Sequence, residues 1–225
     1  MSYPDNIVNA WKSERLVYRA IEENDTDRAL LWDCNQNDAV NSAMASHALF
    51  KPGSRKDTQF FFEFSKDAVI RHWACLPPPE TKTKTESDSP ETASKEGDKK
   101  ENKAQQPTPI GLILLWNKTT GAEHHRSGMI GITILPGYRG KGYGGEALNW
   151  LLDWGFMNGG YHRIGLDAFS FNPLALKLYR KTGFVEEGRE REGILFHRKW
   201  YDVINFGMLE SEWEKLRGYG GGEKA

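Results

Sequence analysis

The sequence predicts a mixed α/β domain in which a central sheet is flanked by helices in three layers. Strand-like and helix-like hydrophobic patterns alternate along much of the chain, which is typical of this class. A glycine-rich run at residues 140–145 joins a strand-like segment directly to a helix-like one. A third observation is that residues 77–109, which are almost free of large apolar side chains, interrupt what otherwise has the pattern of a β-hairpin.

Seven segments carry strand signals, either alternating apolar and polar residues or short continuous apolar runs. Together with four helices they give the order β-α-α-β-β-β-α-β-α-β-β. The predicted strands span residues 14–20, 68–76, 110–116, 129–135, 163–168, 184–190 and 201–209.

Capping residues mark the predicted helices. Ser54 and Asp57 form a capping pair, and Asn172 with Pro173 begins a helix that Gly183 ends. The predicted helices span residues 24–36, a segment that begins at 54, 142–158 and 172–183. The side chains predicted to face the core are Ala29, Leu30 and Trp32 in the first helix and Phe60, Phe61, Phe64 and Ala68 in the second.

Charge and cysteine content exclude several classes of function. The chain has 30 basic and 31 acidic residues, so its net charge of -1 argues against bulk electrostatic binding to nucleic acid or to a membrane. No apolar run reaches spanning length, and the first ten residues lack the pattern of a signal peptide. With only Cys34 and Cys75, the expected location is a reducing compartment, cytoplasmic or nuclear.

The organisation expected along the chain is one domain, residues 1–217, followed by a flexible tail, residues 218–225. Residues 77–109 are predicted to be a disordered insert that expands a hairpin turn, because a long loop adds little closure entropy. A boundary between two domains at this place is the alternative.

The glycine-rich run has the features of a phosphate cradle. Its glycines leave backbone N–H groups accessible to an anion, and the helix that follows directs the positive end of its dipole towards the same place. Arg139 and Lys141 add positive charge. The run has neither the spacing of a dinucleotide fingerprint nor the Gly-Lys-Ser/Thr ending of a P-loop.

Two motifs give the chain a resemblance to the Gcn5-related N-acetyltransferases (GNAT). The spacing R-x-x-G-x-G from Arg139 to Gly144 resembles their pyrophosphate-binding motif, and the segment that follows the predicted fifth strand resembles a second family motif. The chain's ending, residues 200–209, is similar to the branch that acetylates ribosomal protein N-termini and polyamines. The second motif comprises Asn172, Ala175, Leu178, Tyr179, Lys181, Gly183 and Phe184.

The resemblance implies acetyl-CoA as cosubstrate and assigns it binding residues. The strand before the glycine run pairs through its backbone with the pantetheine arm, although its side chains could equally be plain core. Asn172 matches a position that bonds the pantetheine, and a helix cap is its alternative role. The residues implied to bind the cosubstrate are Ile132, Thr133, Ile134, Arg139, Gly140, Lys141, Gly142, Tyr143, Gly144, Gly145 and Asn172.

The resemblance also implies two catalytic residues. Tyr179 matches a tyrosine that assists the leaving thiolate, and packing on an apolar face is its alternative role. Because a thiol has a pKa of about 8.5 and a tyrosine about 10, full proton transfer would be uphill by roughly 2 kcal/mol, so a hydrogen bond to the thiolate stands as an equal alternative to protonation. Asp167 matches a position that can hold a base, with solvent exposure or pairing with Arg163 as its alternative. His124 and His125 carry no further ligand in sequence, so no metal site is expected.

The implied function is transfer of an acetyl group from acetyl-CoA to a primary amine, by direct attack in a ternary complex. A small-molecule amine and a protein α-amine are both open as acceptors, and so is the oligomeric state. The alternative is a non-catalytic acyl-CoA-binding regulatory or scaffolding module. Thiol release over a panel of amines distinguishes the two.

Overall fold

The computed structural model of the protein describes residues 5–79 and 106–219. These residues contain a seven-stranded sheet in the order β1-β2-β3-β4-β5-β7-β6. Neighbouring strands are antiparallel except for β4 and β5, which run parallel. The strands are β1 (Val17–Ala20), β2 (Ile70–Leu76), β3 (Thr108–Asn117), β4 (Ser127–Ile134), β5 (Arg163–Phe169), β6 (Val185–Phe196) and β7 (Lys199–Leu209).

Helices cover both faces of the sheet, which confirms the predicted fold class. The α-helices are α1 (Asp5–Val8), α2 (Asp25–Leu31), α3 (Ala39–Ala45), α4 (Arg55–Ser65), α5 (Tyr143–Met157), α6 (Pro173–Thr182) and α7 (Glu210–Arg217), and a π-helical turn (Trp32–Gln36) extends α2. Short 3₁₀ turns lie at Glu123–His125 and Pro136–Tyr138. The sequence analysis did not predict α1, α3 or α7.

Two hydrophobic cores hold the layers together, one on each face of the sheet. Alternation along β2 and β3 divides their side chains between the faces: Trp73 and Leu112 belong to the core under α2 and α4, whereas Ala74 and Ile113 belong to the core under α5 and α6. The second core is the larger one and is buried almost completely.

The predicted inward faces of α2 and α4 are correct only in part, because Leu30 and Phe61 pack half-buried against the core while other predicted residues do not. In α2 the buried residues are Asp27 and Leu31, and Asp27 is held by the guanidinium of Arg19, at 2.7 and 2.8 Å. In α4 the buried aromatic residue is Phe62, while Phe60 and Phe64 are exposed. A buried carboxylate with a bidentate arginine partner satisfies its hydrogen bonds, which is why a polar residue replaces part of the expected apolar stripe.

The hairpin predicted around the insert is present as β2 and β3. Leu76 pairs with Thr108 and Cys75 with Pro109, so β3 begins two residues inside the segment 77–109. Residues 80–105 lie outside the described residues. At the other end of the chain, the ring of Tyr219 packs on Trp213, with ring centroids 5.2 Å apart, and residues 220–225 are again not described.

Candidate active site

The parallel strands β4 and β5 separate partway along their length. They pair only from Ser127 with Arg163 to Met129 with Gly165. Beyond this point the carboxyl ends of both strands diverge, and the helices α5 and α6 begin just after them. The resulting cleft has two helix N-termini at its mouth, where ligands of α/β sheets commonly bind.

The strand β4 lines one side of this cleft. Ile132, Thr133 and Ile134 pair with β3 on their other side, and each is half-buried. Since pairing with β5 has ended, the β5-facing backbone edge of these three residues has no strand partner within the described residues. An extended ligand can therefore pair with this edge through backbone hydrogen bonds.

Two glycines in the loop at residues 139–145, hereafter the glycine loop, have backbone conformations that favour glycine. Gly140 and Gly142 have φ values of 75° and 86°. Gly142 is the N-cap of α5, and no side chain among the described residues caps this helix end. The first N–H groups of α5 therefore face outward, and they form a binding place for an anion.

Gly144 and Gly145 lie inside the first turn of α5, where added Cβ atoms would meet the side chain of Leu178 at 3.7 and 3.4 Å. These are ordinary contact distances, so packing on α6 does not itself require glycine at either position. The assignment of Gly144 and Gly145 to the cosubstrate stays a prediction.

Three cationic side chains surround the glycine loop. The guanidinium of Arg139 donates to the carbonyl of Ile134 at 2.7 Å and to the carboxylate of Asp38, and the ammonium of Lys141 donates to the carbonyl of Gly137 at 3.0 Å. Arg15, which the sequence analysis missed, donates to the carbonyl of Lys141 at 3.1 Å. Because Arg15 comes from a separate segment, no local pattern pointed to it.

Glu146 holds Arg15 in place beside the glycine loop. Its carboxylate accepts from the hydroxyl of Ser13 at 2.7 Å and from the backbone N–H and the guanidinium of Arg15 at 2.6 and 2.8 Å. Burial alone would raise the pKa of Glu146, but these hydrogen bonds hold it below its usual value.

Tyr179 lies on α6 with its ring against Phe184 and Phe206, at centroid distances of 6.1 and 5.9 Å. Burial raises the pKa of Tyr179 to about 12, and the negative charge of Asp167 adds to this effect. In the described part of the chain its hydroxyl has no hydrogen-bond partner. The hydroxyl therefore stays protonated and can donate to a ligand.

Asp167 bonds to a residue that the sequence analysis did not consider. Its carboxylate lies 2.7 Å from Nε2 of His47, whereas Arg163, the partner considered for Asp167, pairs with Glu187 instead. The His47 ring also packs edge-on against Phe169, with centroids 4.9 Å apart. Asp167 is thus paired with a histidine from a distant segment.

Residues 38–47, hereafter the α3 segment, lie across the mouth of the cleft. Four of these residues contact other elements. Asp38 pairs with Arg139 of the glycine loop, and Asn41 accepts from Thr133 of β4 at 3.1 Å. The carbonyl of Met44 accepts from Asn172 at 3.3 Å, and His47 bonds to Asp167 of β5. All four partners are residues that the sequence analysis assigned to the site. The α3 segment therefore forms the second wall of the cleft.

Asn172 has the capping role that was its alternative in the sequence analysis. Its side-chain oxygen accepts from the N–H of Ala175 at 3.2 Å, and Pro173 occupies the first helical position of α6. Its amide group is occupied by the Met44 carbonyl. A role for Asn172 toward a ligand stays a prediction.

Neither a metal site nor a membrane-spanning helix is found among residues 5–79 and 106–219. No group of three or more His, Cys, Asp or Glu side chains converges to hold a metal ion. Among these same residues, no helix is long and apolar enough to cross a membrane.

Comparison with known proteins identifies the family. The sequence model of the acetyltransferase (GNAT) family matches residues 67–184, which is more than half of the chain and contains the glycine loop, Asp167 and Tyr179. The chain belongs to this family, whose cosubstrate is acetyl-CoA.

Curated relatives match over a shorter region. A spermidine N(1)-acetyltransferase of Vibrio cholerae is 36% identical over 89 residues, which are 40% of this chain and 51% of that protein. An uncharacterized N-acetyltransferase, YokL, of Bacillus subtilis is 33% identical over 39% of this chain and 49% of its own length, and a putative ribosomal N-acetyltransferase, YdaF, of the same species is 28% identical over 46% and 55%. The chain spans about half the length of these relatives.

A solved structure extends the likeness in fold. The crystal structure of spermidine N-acetyltransferase from Vibrio cholerae, in complex with CoA and spermine, superposes with a TM-score of 0.66 at 23% identity. The match covers 88% of this chain and 98% of that one. At this identity the likeness establishes the fold, and it covers a larger share of the chain than the family model does.

Proposed function

We propose that this protein transfers an acetyl group from acetyl-CoA to a primary amine. The observation that carries the proposal is the cleft between β4 and β5, which has an uncapped helix N-terminus at one end and the pair His47–Asp167 with Tyr179 at the other. The proposal treats residues 1–217 as one cytoplasmic N-acetyltransferase domain with an insert at 77–109 and a tail at 218–225.

The first wall of the cleft supplies the binding groups for acetyl-CoA. The N–H groups that open α5 donate to the pyrophosphate oxygens, and Arg15 and Lys141 add positive charge beside them. The open edge of β4 at residues 132–134 pairs with the amide groups of the pantetheine arm. This arrangement directs the thioester towards the end of the cleft where Tyr179 and Asp167 lie.

The reaction joins the amine nitrogen to the thioester carbonyl carbon, and the C–S bond breaks. The electron pair of that bond leaves on sulfur as a thiolate, and the proton of the amine must go to a base. No covalent enzyme intermediate is required, because the amine attacks directly while both substrates are bound.

We assign to Tyr179 the role of stabilising the leaving thiolate. A free thiol has a pKa of about 8.5, so complete transfer of a proton from a tyrosine with a pKa of about 12 would be uphill on the order of 5 kcal/mol. A hydrogen bond from the hydroxyl to the developing thiolate avoids this penalty and still lowers the barrier. Stabilisation by the hydroxyl is therefore favoured over full protonation.

We assign to the pair His47–Asp167 the role of accepting the proton of the amine. When the ring is neutral and Nε2–H donates to the Asp167 carboxylate, the lone pair of Nδ1 is available to accept a proton. In the described part of the chain Nδ1 of His47 has no hydrogen-bond partner. Asp167 then orients the ring and stabilises the imidazolium that forms.

A small-molecule amine is the favoured acceptor, since relatives named spermidine acetyltransferases match both in sequence and in fold. The putative ribosomal relative keeps a protein α-amine as the second choice. Titration calorimetry with acetyl-CoA, followed by a thiol-release assay over a panel of amines and N-terminal peptides, tests the proposal. Binding of acetyl-CoA without release of thiol over the whole panel would instead indicate an acyl-CoA-binding module.

A further inference from the structure

A continuous set of aromatic rings extends outward from the catalytic end of the cleft. We call Phe50, Phe169, Phe171, Phe196 and Tyr201 the aromatic wall. Phe171 stacks on Phe169 at 5.3 Å and on Phe196 at 4.9 Å, with Tyr201 edge-on at 4.8 Å. Phe50 packs edge-on against Phe196 at 5.7 Å and so brings the segment after α3 to the hairpin of β6 and β7.

The aromatic wall begins where the amine has to react. Phe169 lies two residues after Asp167 on β5, so the two side chains point to the same face of the sheet. His47 contacts both of them, the carboxylate at 2.7 Å and the ring of Phe169 edge-on. An acceptor whose amine lies at His47 therefore extends along these rings.

The rings are accessible rather than enclosed in the core. Phe50 is 47% exposed, and Phe171, Phe196 and Tyr201 are each partly exposed, while only Phe169 is buried. Exposed aromatic rings that cluster beside a catalytic pair are typical of a binding surface, because rings that only fill a core are covered by neighbouring side chains.

Charged side chains of both signs lie on the face of the β6–β7 hairpin that carries the aromatic wall, because Glu190 pairs across from Val203, two residues after Tyr201. Lys199 pairs directly across from Phe196 in the β6–β7 hairpin, so its side chain lies on the same face as Phe196 and Tyr201. His197 and Arg198 form the turn, both with positive φ. Among the described residues, the carboxylates of Asp38 and Asp167 at the cleft are already bonded to Arg139 and His47.

We infer that the acceptor is a primary amine that carries an aromatic group. This inference rests on the proposed function and narrows its acceptor. The rings bury the aromatic group, and an apolar surrounding favours the neutral form of the amine, which is the form that attacks.

The first test compares acceptors on the wild-type protein. We expect kcat/KM for 2-phenylethylamine to exceed the values for propylamine and for spermidine by roughly tenfold or more, because only the first amine has a ring to bury. If spermidine or propylamine is acetylated as efficiently, the inference is wrong while acetyl transfer stands. If no amine in the panel releases thiol, the proposed function fails together with the inference.

The second test changes the aromatic wall. Phe196→Ala should lower kcat/KM for 2-phenylethylamine roughly tenfold and leave propylamine unchanged, whereas Trp200→Ala is the control. Trp200 is 58% exposed and pairs with Leu195, on the opposite face of the same hairpin. Equal losses for both amines, or for both variants, would contradict the assignment. Phe196→Leu, with its melting temperature measured, keeps the test valid if the alanine variant does not fold.

Discussion

The two walls of the cleft are built in different ways. The first wall, β4 with the glycine loop and the start of α5, comes from one continuous stretch of sequence, and its binding groups are mostly backbone. The second wall, the α3 segment, comes from a distant part of the chain and acts through single side chains: Asp38, Asn41 and His47.

This difference decides what each wall can do. Backbone groups of a strand edge and a helix end bind a constant feature, such as a pyrophosphate or an amide, whatever the neighbouring side chains are. Isolated side chains on a short helix can change one at a time without disturbing the fold. The first wall therefore suits an invariant cosubstrate, and the second suits chemistry and acceptor choice.

The largest effect should come from the first wall. Gly144→Glu places a carboxylate beside the helix N-terminus, where it repels the pyrophosphate, so affinity for acetyl-CoA should fall by more than roughly 100-fold. Gly144→Ala is the matched control, because its Cβ would meet Ile134 and Leu178 at 3.6 and 3.7 Å, both ordinary distances. Titration calorimetry on the folded variants measures both affinities. Unchanged binding by the glutamate variant would mean that this helix end does not receive the anion.

The next effect concerns the leaving group. Tyr179→Phe keeps the ring contacts with Phe184 and Phe206 and removes the hydroxyl, so kcat should fall about 10²-fold with little change in acetyl-CoA affinity. Steady-state kinetics, under conditions where chemistry limits the rate, give the answer. A near wild-type kcat would assign the stabilisation of sulfur to another group or to water.

A change in the second wall should have a smaller effect. His47→Ala removes the proposed base but leaves the cleft. Because the His47 side chain is 58% exposed, water can partly replace it, and we expect kcat to fall roughly tenfold. Added imidazole should restore activity, which a purely structural role does not explain. Asp167→Asn, which leaves the ring without its carboxylate, should lower kcat without becoming responsive to imidazole. Rescue of both variants to the same extent would count against the assigned roles.

Glu146 links the first wall to the start of the chain, and its effect should appear in stability. Because its folded pKa lies below the usual value, its contribution is fully present above about pH 4.5 and is lost as pH falls through the folded pKa. Glu146→Gln should therefore lower the free energy of unfolding by about 1 to 2 kcal/mol at pH 7, and the difference should shrink below about pH 4. Urea denaturation of the wild-type and variant proteins, at pH 7 and below about pH 4, measures this difference in the free energy of unfolding. A difference that does not depend on pH would exclude the charge as its cause.

The smallest effect is expected at the β2–β3 connection. Replacement of residues 79–106 by a short Gly/Ser turn should leave the melting temperature and acetyl-CoA affinity nearly unchanged, because loop length adds little closure entropy and β2 already pairs with β3 up to Leu76 and Thr108. A large loss of stability would show that the segment packs on the domain.

The sequence predicted the fold and the first wall because their signals are local. Gly142, the Asn172–Pro173 start and the Gly183 end of α6 each fix a backbone conformation that neighbouring residues make visible. All seven strands of the described residues were predicted for the same reason, with their ends shifted by up to six residues. The Ser54–Asp57 cap was likewise correct.

The second wall could not be predicted because its signals are not local. His47 is separated from Asp167 by 120 positions, and Asn41 from Thr133 by 92, so only the folded sheet brings them together. The helix α3 has no strong hydrophobic period, and Ala43 is its buried residue. The Asp38 cap, which accepts from Val40 and Asn41, was the one local signal that could have revealed this helix.

The α3 segment has a thermodynamic consequence, because it contacts residues assigned to both ligands. It bonds to Thr133 and Arg139 on the side assigned to acetyl-CoA, and through His47 to Asp167 on the side assigned to the amine. If the binding of one ligand shifts this short helix, the free energy of that shift also enters the affinity for the other ligand. Linkage requires the two affinities to change by the same factor, whichever substrate binds first, so ten residues can couple the two binding events.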